Sequence, residues 1–225
     1  MSPTGTDRRA RLARAHLYLV CDARGDGRDL AAFLDAALRG GVDLIQLRDK
    51  QADEEALLAA APAFRAAADA HGALFVLNDR PDLVEAAGAD GVHVGQDDLS
   101  VAEARAAVGP ERIVGLSTHT PAQVDAADAA GGSGAIDYFA VGPVHATPTK
   151  PGRPAVGLEL VEHTAGTPRS VPWFAIGGLD ETTIGAAAAA GATRAVVVRA
   201  LTGAADPEAV ARTLRAAVEA RVGAA

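Results

Sequence analysis

Three short polar segments stand out by residue type and spacing. Gln46-Leu47-Arg48-Asp49-Lys50 places an amide and two cations on alternate positions. Side chains alternate in direction along an extended chain, so Gln46, Arg48 and Lys50 can share one face and clamp an anion. Asn78-Asp79 and Gly95-Gln96-Asp97-Asp98 each end on carboxylates. On neighbouring strand ends, Asp79 and Asp98 can converge on a hard cation such as Mg²⁺, which takes oxygen ligands and keeps waters and substrate phosphates in its shell. Asp97 stays open between a metal contact and a helix cap.

Further along, Ser117-Thr118-His119-Thr120 offers Ser117 as a donor to a phosphate or an amine-bearing ring, while Thr120 before Pro121 reads as a helix cap. Thr147-Pro148-Thr149-Lys150 lies in a loop bordered by glycine and proline, a lid able to close over charge and exclude water. Gly177-Gly178 lets backbone N–H groups approach a phosphate closely, and Val198-Arg199 stands at a second turn of the same kind. The chemistry implied is two anion sites: one built on Arg48, Lys50, Asn78, Asp79 and Asp98 with a metal, the other on Thr147, Thr149, Gly177, Gly178 and the Val198–Arg199 turn without one. Neither a Ser-His-Asp arrangement at motif spacing nor HExxH occurs. His93 reads as a packed interior histidine rather than a base, and His145, in the lid loop, stays open to a substrate contact.

These segments must be held by something regular. The 225 residues alternate short apolar runs with longer alanine-rich amphipathic stretches. Strands are expected over 17–21, 44–47, 74–77, 91–94, 113–116, 138–141, 173–176 and 195–198. Helices follow over 30–39, 53–71, 81–87, 101–108, 121–130, 158–163, 180–190 and 207–221. Eight strand-then-helix units with apolar rather than alternating strands predict one α/β domain, a single (β/α)₈ TIM barrel spanning 1–225, with 1–15 as a flexible N-terminal extension. An open doubly wound sheet would carry GxGxxG after its first strand, and Gly25-Asp26-Gly27 is only a fragment of it. Every polar segment above then falls at a strand exit, on the rim where such barrels keep their active sites.

Composition narrows the partners. A net charge of −8, from 29 acidic and 21 basic residues, argues against nucleic acid or an anionic membrane as partner. Cys21 is the single cysteine, so no internal disulfide or CxxC metal site exists, and a reducing cytoplasm fits. Only Lys50 and Lys150 among the basic residues are lysines, and Asn78 is the single asparagine. Where arginine has displaced lysine almost everywhere, the survivors are candidates for work that needs a compact point charge. A homo-oligomer is compatible with the sequence, which sets no oligomeric state.

Taken in order, Gln46-Leu-Arg-Asp-Lys50, Asn78-Asp79-Arg80, Gly91-Val-His-Val-Gly-Gln-Asp-Asp98, Gly115-Leu-Ser117, Gly142-Pro-Val-His-Ala-Thr-Pro-Thr-Lys150 and Ile176-Gly-Gly178 resemble the thiamine phosphate synthase family. The resemblance runs from Tyr18 to the final helix. It implies a Mg²⁺-dependent transferase that couples a pyrimidine diphosphate to a thiazole phosphate and releases pyrophosphate. It further implies that Gln46, Arg48, Lys50, Asn78 and Lys150 contact the diphosphate substrate, within binding segments that include Leu47, Asp49 and Pro148. Asp79 and Asp98 would bind the metal, and Ser117 would sit at the pyrimidine. Thr147, Thr149, Gly177 or Gly178, and Val198–Arg199 would hold the thiazole phosphate. Arg48, Lys50, Ser117 and Lys150 would act in catalysis. Arg199 departs from the family pattern, which often has a small hydroxyl residue there; it can grip phosphate by its side chain or leave binding to the backbone. A related barrel that binds only the thiazole phosphate, a tautomerase or regulator, would not need the diphosphate clamp. A non-catalytic phosphate-binding module would need neither the second site nor the metal ligands.

Overall fold

The computed structural model describes residues 3–24, 29–147 and 154–222. Eight parallel strands, β1 (Leu17–Cys21), β2 (Leu44–Leu47), β3 (Leu74–Asn78), β4 (Gly91–Val94), β5 (Ile113–Thr118), β6 (Tyr138–Val141), β7 (Trp173–Ile176) and β8 (Ala195–Val197), close into a barrel in chain order. The register carries the alternation round the ring: Tyr18 pairs with Leu44, Leu44 with Leu74, and Tyr18 with Val196 across the closing pair. Tyr18, Val20, Leu44, Leu74, Val76, Ile113, Tyr138, Phe174 and Val196 fill the inside. Their neighbours, such as Leu19, Ile45, Leu47, Phe75 and Phe139, pack outward with the buried faces of the helices. Burial on both sides explains why the strands read as continuous apolar runs.

The helices are α1 (Gly5–Arg14), α2 (Leu30–Arg39), α3 (Glu54–His71), α4 (Val101–Val108), α5 (Pro121–Gly132), α6 (Glu159–Ala165), α7 (Ile184–Ala189), α8 (Arg199–Thr202) and α9 (Pro207–Val222). Two differ in kind from the sequence expectation. The helix expected over 81–87 is a single 3₁₀ turn, Pro81–Leu83. The extra helix α8 follows β8 directly, at Val198, whose backbone (φ −126°, ψ −87°) breaks the strand.

The extension expected to be flexible is, over most of its length, α1. Thr4 and Asp7 form a reciprocal capping box at its start. Leu12 packs into the barrel interior from below. Arg8 and Arg9 reach Asp90 and Asp137 in turn. Each of these aspartates precedes an even-numbered strand and accepts a backbone N–H from the preceding one: Asp90 from Phe75 and Asp137 from Val114. A second arginine closes each pair, Arg65 on Asp90 and Arg105 on Asp137. Asp43 repeats the pattern before β2, accepting from the Leu17 N–H and pairing with Arg215 of α9. The three aspartates are equally spaced along the chain, so the N-terminal end of the barrel is built on a repeated unit. The exits of the strands lie at the opposite end.

Candidate active site

A cavity of about 580 Å³ opens at the C-terminal ends of the strands. Gln46 and Arg48 from β2 and its exit, Asn78 from β3, His93 from β4, Ser117 from β5, Gly177 and Gly178 after β7, and Val198 and Arg199 after β8 all line it. Strand alternation places them there: Gln46 shares the inward face with Leu44, and Ser117 shares it with Ile113. Leu47 and Asp49, included in the expected binding segment, do not line the cavity. Leu47 falls on the outward face and is 1% exposed in the helix-facing core. Asp49 turns its carboxylate to the backbone N–H groups of Ala23, Gln51 and Ala52, shaping the loop after β2. Pro148, Thr149 and Lys150 lie outside the described residues, while Thr147 lines the cavity wall.

One side of the rim is acidic. Asp79 has a left-handed backbone (φ 60°), a conformation that costs an L-residue roughly 1–2 kcal/mol and that aspartate tolerates better than most. Its amide donates to the His93 carbonyl at 2.9 Å. Its carboxylate receives Asn78 Nδ2 at 2.5 Å and Lys50 Nζ at 3.1 Å. Burial, then the adjoining Asp98 carboxyl, pushes the Asp79 carboxyl above its ordinary range, and Lys50 opposes the shift. Asp98 is fixed in turn by the Gly95 N–H at 2.8 Å. It is not the cap of the next helix; Ser100 takes that place through a capping box with Glu103. Two neighbouring carboxyls offer the oxygen donors that a hard divalent cation takes, with Lys50 and Asn78 on one of them in this structure. Among the described residues no group of three His, Cys, Asp or Glu gathers. A six-coordinate shell completed by water and substrate oxygens is the expected form of such a site.

The opposite side, at the exits of β7 and β8, is built of glycine backbone and one arginine. Gly177 (φ 108°) and Gly178 (φ 63°) turn the backbone where a side chain would collide. A Cβ on Gly177 would stand 2.5 Å from the Pro143 Cα, and one on Gly178 2.7 Å from the His145 Cβ. Arg199 borders the same space, and neither Arg48 nor Arg199 has an ion-pair partner among the described residues. Two unneutralised guanidinium groups in the cavity of a chain with net charge −8 mark a place for anions.

The floor joins what the sequence left separate. Ser117 Oγ lies 2.9 Å from His93 Nε2, His93 Nδ1 lies 3.1 Å from the Tyr138 hydroxyl, and that hydroxyl lies 3.0 Å from Tyr18. Gln46 Nε2 donates to the Tyr18 hydroxyl and ends the chain. All five side chains are buried, and Gly115 makes the room: a Cβ there would stand 2.1 Å from the Tyr138 ring. Tyr18 and Tyr138 were missed as site residues. They are the chain's two tyrosines, both at inward positions, and that coincidence was the available signal. His145, which the sequence leaves open to a substrate contact, has its Nε2 buried in the cavity wall with no hydrogen-bond partner among the described residues.

The fold and this rim define a class: a parallel-barrel enzyme whose strand exits carry a carboxylate pair on one side and a glycine turn with an arginine on the other. A family model described as thiamine monophosphate synthase matches residues 17–201. The chain is 53% identical over 207 residues to the thiamine-phosphate synthase of Thermobifida fusca, covering 92% of this chain and 94% of the relative. It is 51% identical over 231 residues to that of Arthrobacter sp., covering 94% and 97%. Among solved structures, a thiamine phosphate pyrophosphorylase from Pyrococcus furiosus superposes with a TM-score of 0.80 at 26% identity, over 96% of this chain and 99% of that one. The chain belongs to the thiamine monophosphate synthase family, a family of transferases. No helix among the described residues is long and apolar enough to cross a membrane.

Proposed function

We propose that this chain couples 4-amino-2-methyl-5-hydroxymethylpyrimidine diphosphate to 4-methyl-5-(2-phosphoethyl)thiazole, giving thiamine phosphate and pyrophosphate. The observation that carries the reading is the contrast between two parts of the rim: the Asp79–Asp98 pair, joined through Asn78 to the cavity that Asn78 and Arg48 line, and the Gly177–Gly178 turn with Arg199 on the cavity wall. One substrate brings a diphosphate and the other a phosphate, and the two rims differ in the same way.

Asp79 and Asp98 would hold Mg²⁺, which neutralises charge on the diphosphate as it departs. Arg48 and Lys50 add fixed positive charge beside it, with Lys150 assigned to the same group from the resemblance. Gln46 and Ser117 face the pyrimidine, and Asn78 holds the Asp79 carboxylate in place. Thr147, Gly178 and Arg199 hold the thiazole phosphate, with Thr149. The bond between the exocyclic methylene carbon and the diphosphate oxygen breaks, and its electron pair leaves with pyrophosphate. The cation left behind is delocalised into the electron-rich aminopyrimidine. The thiazole nitrogen then supplies the electron pair for the new C–N bond. No covalent nucleophile is needed; the protein orients two substrates and stabilises departing charge. The lone cysteine, Cys21, is buried and its thiol is pushed up by burial, so it is not an activated nucleophile.

Purified protein supplied with both substrates and Mg²⁺ should release pyrophosphate and thiamine phosphate in equal amounts. Binding of both substrates without pyrophosphate release, under metal-replete conditions, would sink the reading.

A further inference from the structure

The hydrogen-bonded chain on the cavity floor has a direction. Gln46 Nε2 can only donate, so the Tyr18 hydroxyl accepts from it. Tyr18 is 1% exposed, and among the described residues its own hydrogen has one acceptor to serve, the Tyr138 oxygen. Tyr138 then passes its hydrogen to His93 Nδ1, which leaves the imidazole protonated at Nε2. His93 Nε2–H donates to Ser117 Oγ. The Ser117 hydrogen is thereby released to the cavity, and Gln46 Oε1, with its amide nitrogen turned to Tyr18, is left as an acceptor. With Gln46 Nε2 on Tyr18, the opposite order would strand the Tyr18 hydrogen in a buried position, a cost of about 1–3 kcal/mol.

We propose that Tyr18, Tyr138 and His93 are positioning residues that fix this polarity, so that the cavity floor presents one donor, Ser117 O–H, and one acceptor, Gln46 Oε1. That pair matches a ring nitrogen beside an exocyclic amino group. It mismatches the 4-oxo counterpart, whose ring N–H and carbonyl carry donor and acceptor in reversed places. The inference rests on the assignment of the pyrimidine to Gln46 and Ser117, and deepens it: the floor selects a 4-aminopyrimidine over a 4-oxopyrimidine through three residues that need not touch the discriminating atoms. The low-dielectric setting strengthens each link, and the linked bonds polarise one another.

The tests are Tyr138→Phe and Tyr18→Phe, each of which removes one hydroxyl and keeps the ring. The edge-on contacts among Tyr18, Tyr138 and Phe174 are then retained. In Tyr138→Phe the KM for the pyrimidine diphosphate should rise about tenfold while that for the thiazole phosphate stays within about twofold, one neutral hydrogen bond's worth. The preference for the 4-amino over the 4-oxo pyrimidine alcohol, read by direct titration without turnover, should fall by a similar factor. Nitrogen NMR of the wild-type imidazole should show His93 protonated at Nε2, and Tyr138→Phe should mix the tautomers. Wild-type turnover together with unchanged discrimination in a folded Tyr138→Phe, or a wild-type His93 protonated at Nδ1, overturns the proposal alone. A wild-type protein that neither binds the aminopyrimidine nor forms thiamine phosphate overturns the functional reading with it. Should Tyr138→Phe not fold, Tyr18→Phe reads the same quantities from the other end of the chain.

Discussion

Arg8 Nε donates to the Asp90 carboxylate at 2.8 Å, with the two side chains 5% and 1% exposed. This pair joins the N-terminal helix to the sealed end of the barrel, beneath the cavity. Arg65 takes the other carboxylate oxygen at 2.8 Å, and the Phe75 N–H donates to that same oxygen. Replacing Asp90 by alanine strands the buried Arg8 guanidinium, leaves the partly buried Arg65 with only Asp69 and frees a strand N–H. Breaking a buried pair by removing one partner typically costs about 3–5 kcal/mol. Asp90→Ala should therefore lower the urea midpoint sharply. Glu54→Ala, which breaks a largely exposed pair with Arg80 (side chains 60% and 33% exposed), should cost at most about 1 kcal/mol. Equal losses from the two variants would contradict a closing role for α1.

The metal assignment has its own signature. Asp79→Ala should abolish Mg²⁺-dependent turnover while the affinity for the thiazole phosphate, measured by calorimetry, stays near wild type. Asp98→Ala should do the same, and chelation of the wild type should reproduce both. A variant that keeps normal metal dependence would remove its residue from the ligand set.

How far these features could be read from the sequence differs by part. The barrel was legible because its strands are buried on both faces and spaced by amphipathic helices, and both signals are local. The placement of Gln46, Arg48, Asn78 and Ser117 in one cavity was legible because strand alternation is local too. Leu47 and Asp49 were carried along by adjacency; the same alternation turns Leu47 outward, and Asp49 caps its own loop. The role of α1 was hidden because Arg8 and Arg9 find their partners only across long sequence separations. The link from Gln46 to Ser117 was hidden for the same reason, since it passes through residues of five strands that meet only when the ring closes.

Arg199 offers a test of the departure from the family pattern. It lines the cavity beside Val198, without an ion-pair partner among the described residues. If its guanidinium meets the thiazole phosphate, Arg199→Ser should weaken that substrate by about 1.5–3 kcal/mol, the usual worth of a hydrogen bond to a charged group. Its binding should also lose part of its salt sensitivity. The KM for the pyrimidine diphosphate should not move. Unchanged affinity for the thiazole phosphate would assign binding to the backbone of the turn instead.

The glycine pair after β7 separates backbone geometry from charge. Gly177→Ala asks an L-residue to hold φ 108° and sets its Cβ against the Pro143 backbone, which cannot swing away as a side-chain tip would. Gly178→Ala meets φ 63°, a milder conformation, but sets its Cβ 2.7 Å from the His145 Cβ, which moves only with its backbone, so the loop after β6 must shift. The first should lower the thermal midpoint as well as activity. The second should fold close to normally and raise the KM for the thiazole phosphate, because the loop from β6 is displaced over that pocket alone. Thermal melts beside two-substrate kinetics distinguish the two. If Gly178→Ala raised the KM of the pyrimidine diphosphate instead, the metal-free pocket would have been placed on the wrong side of the cavity.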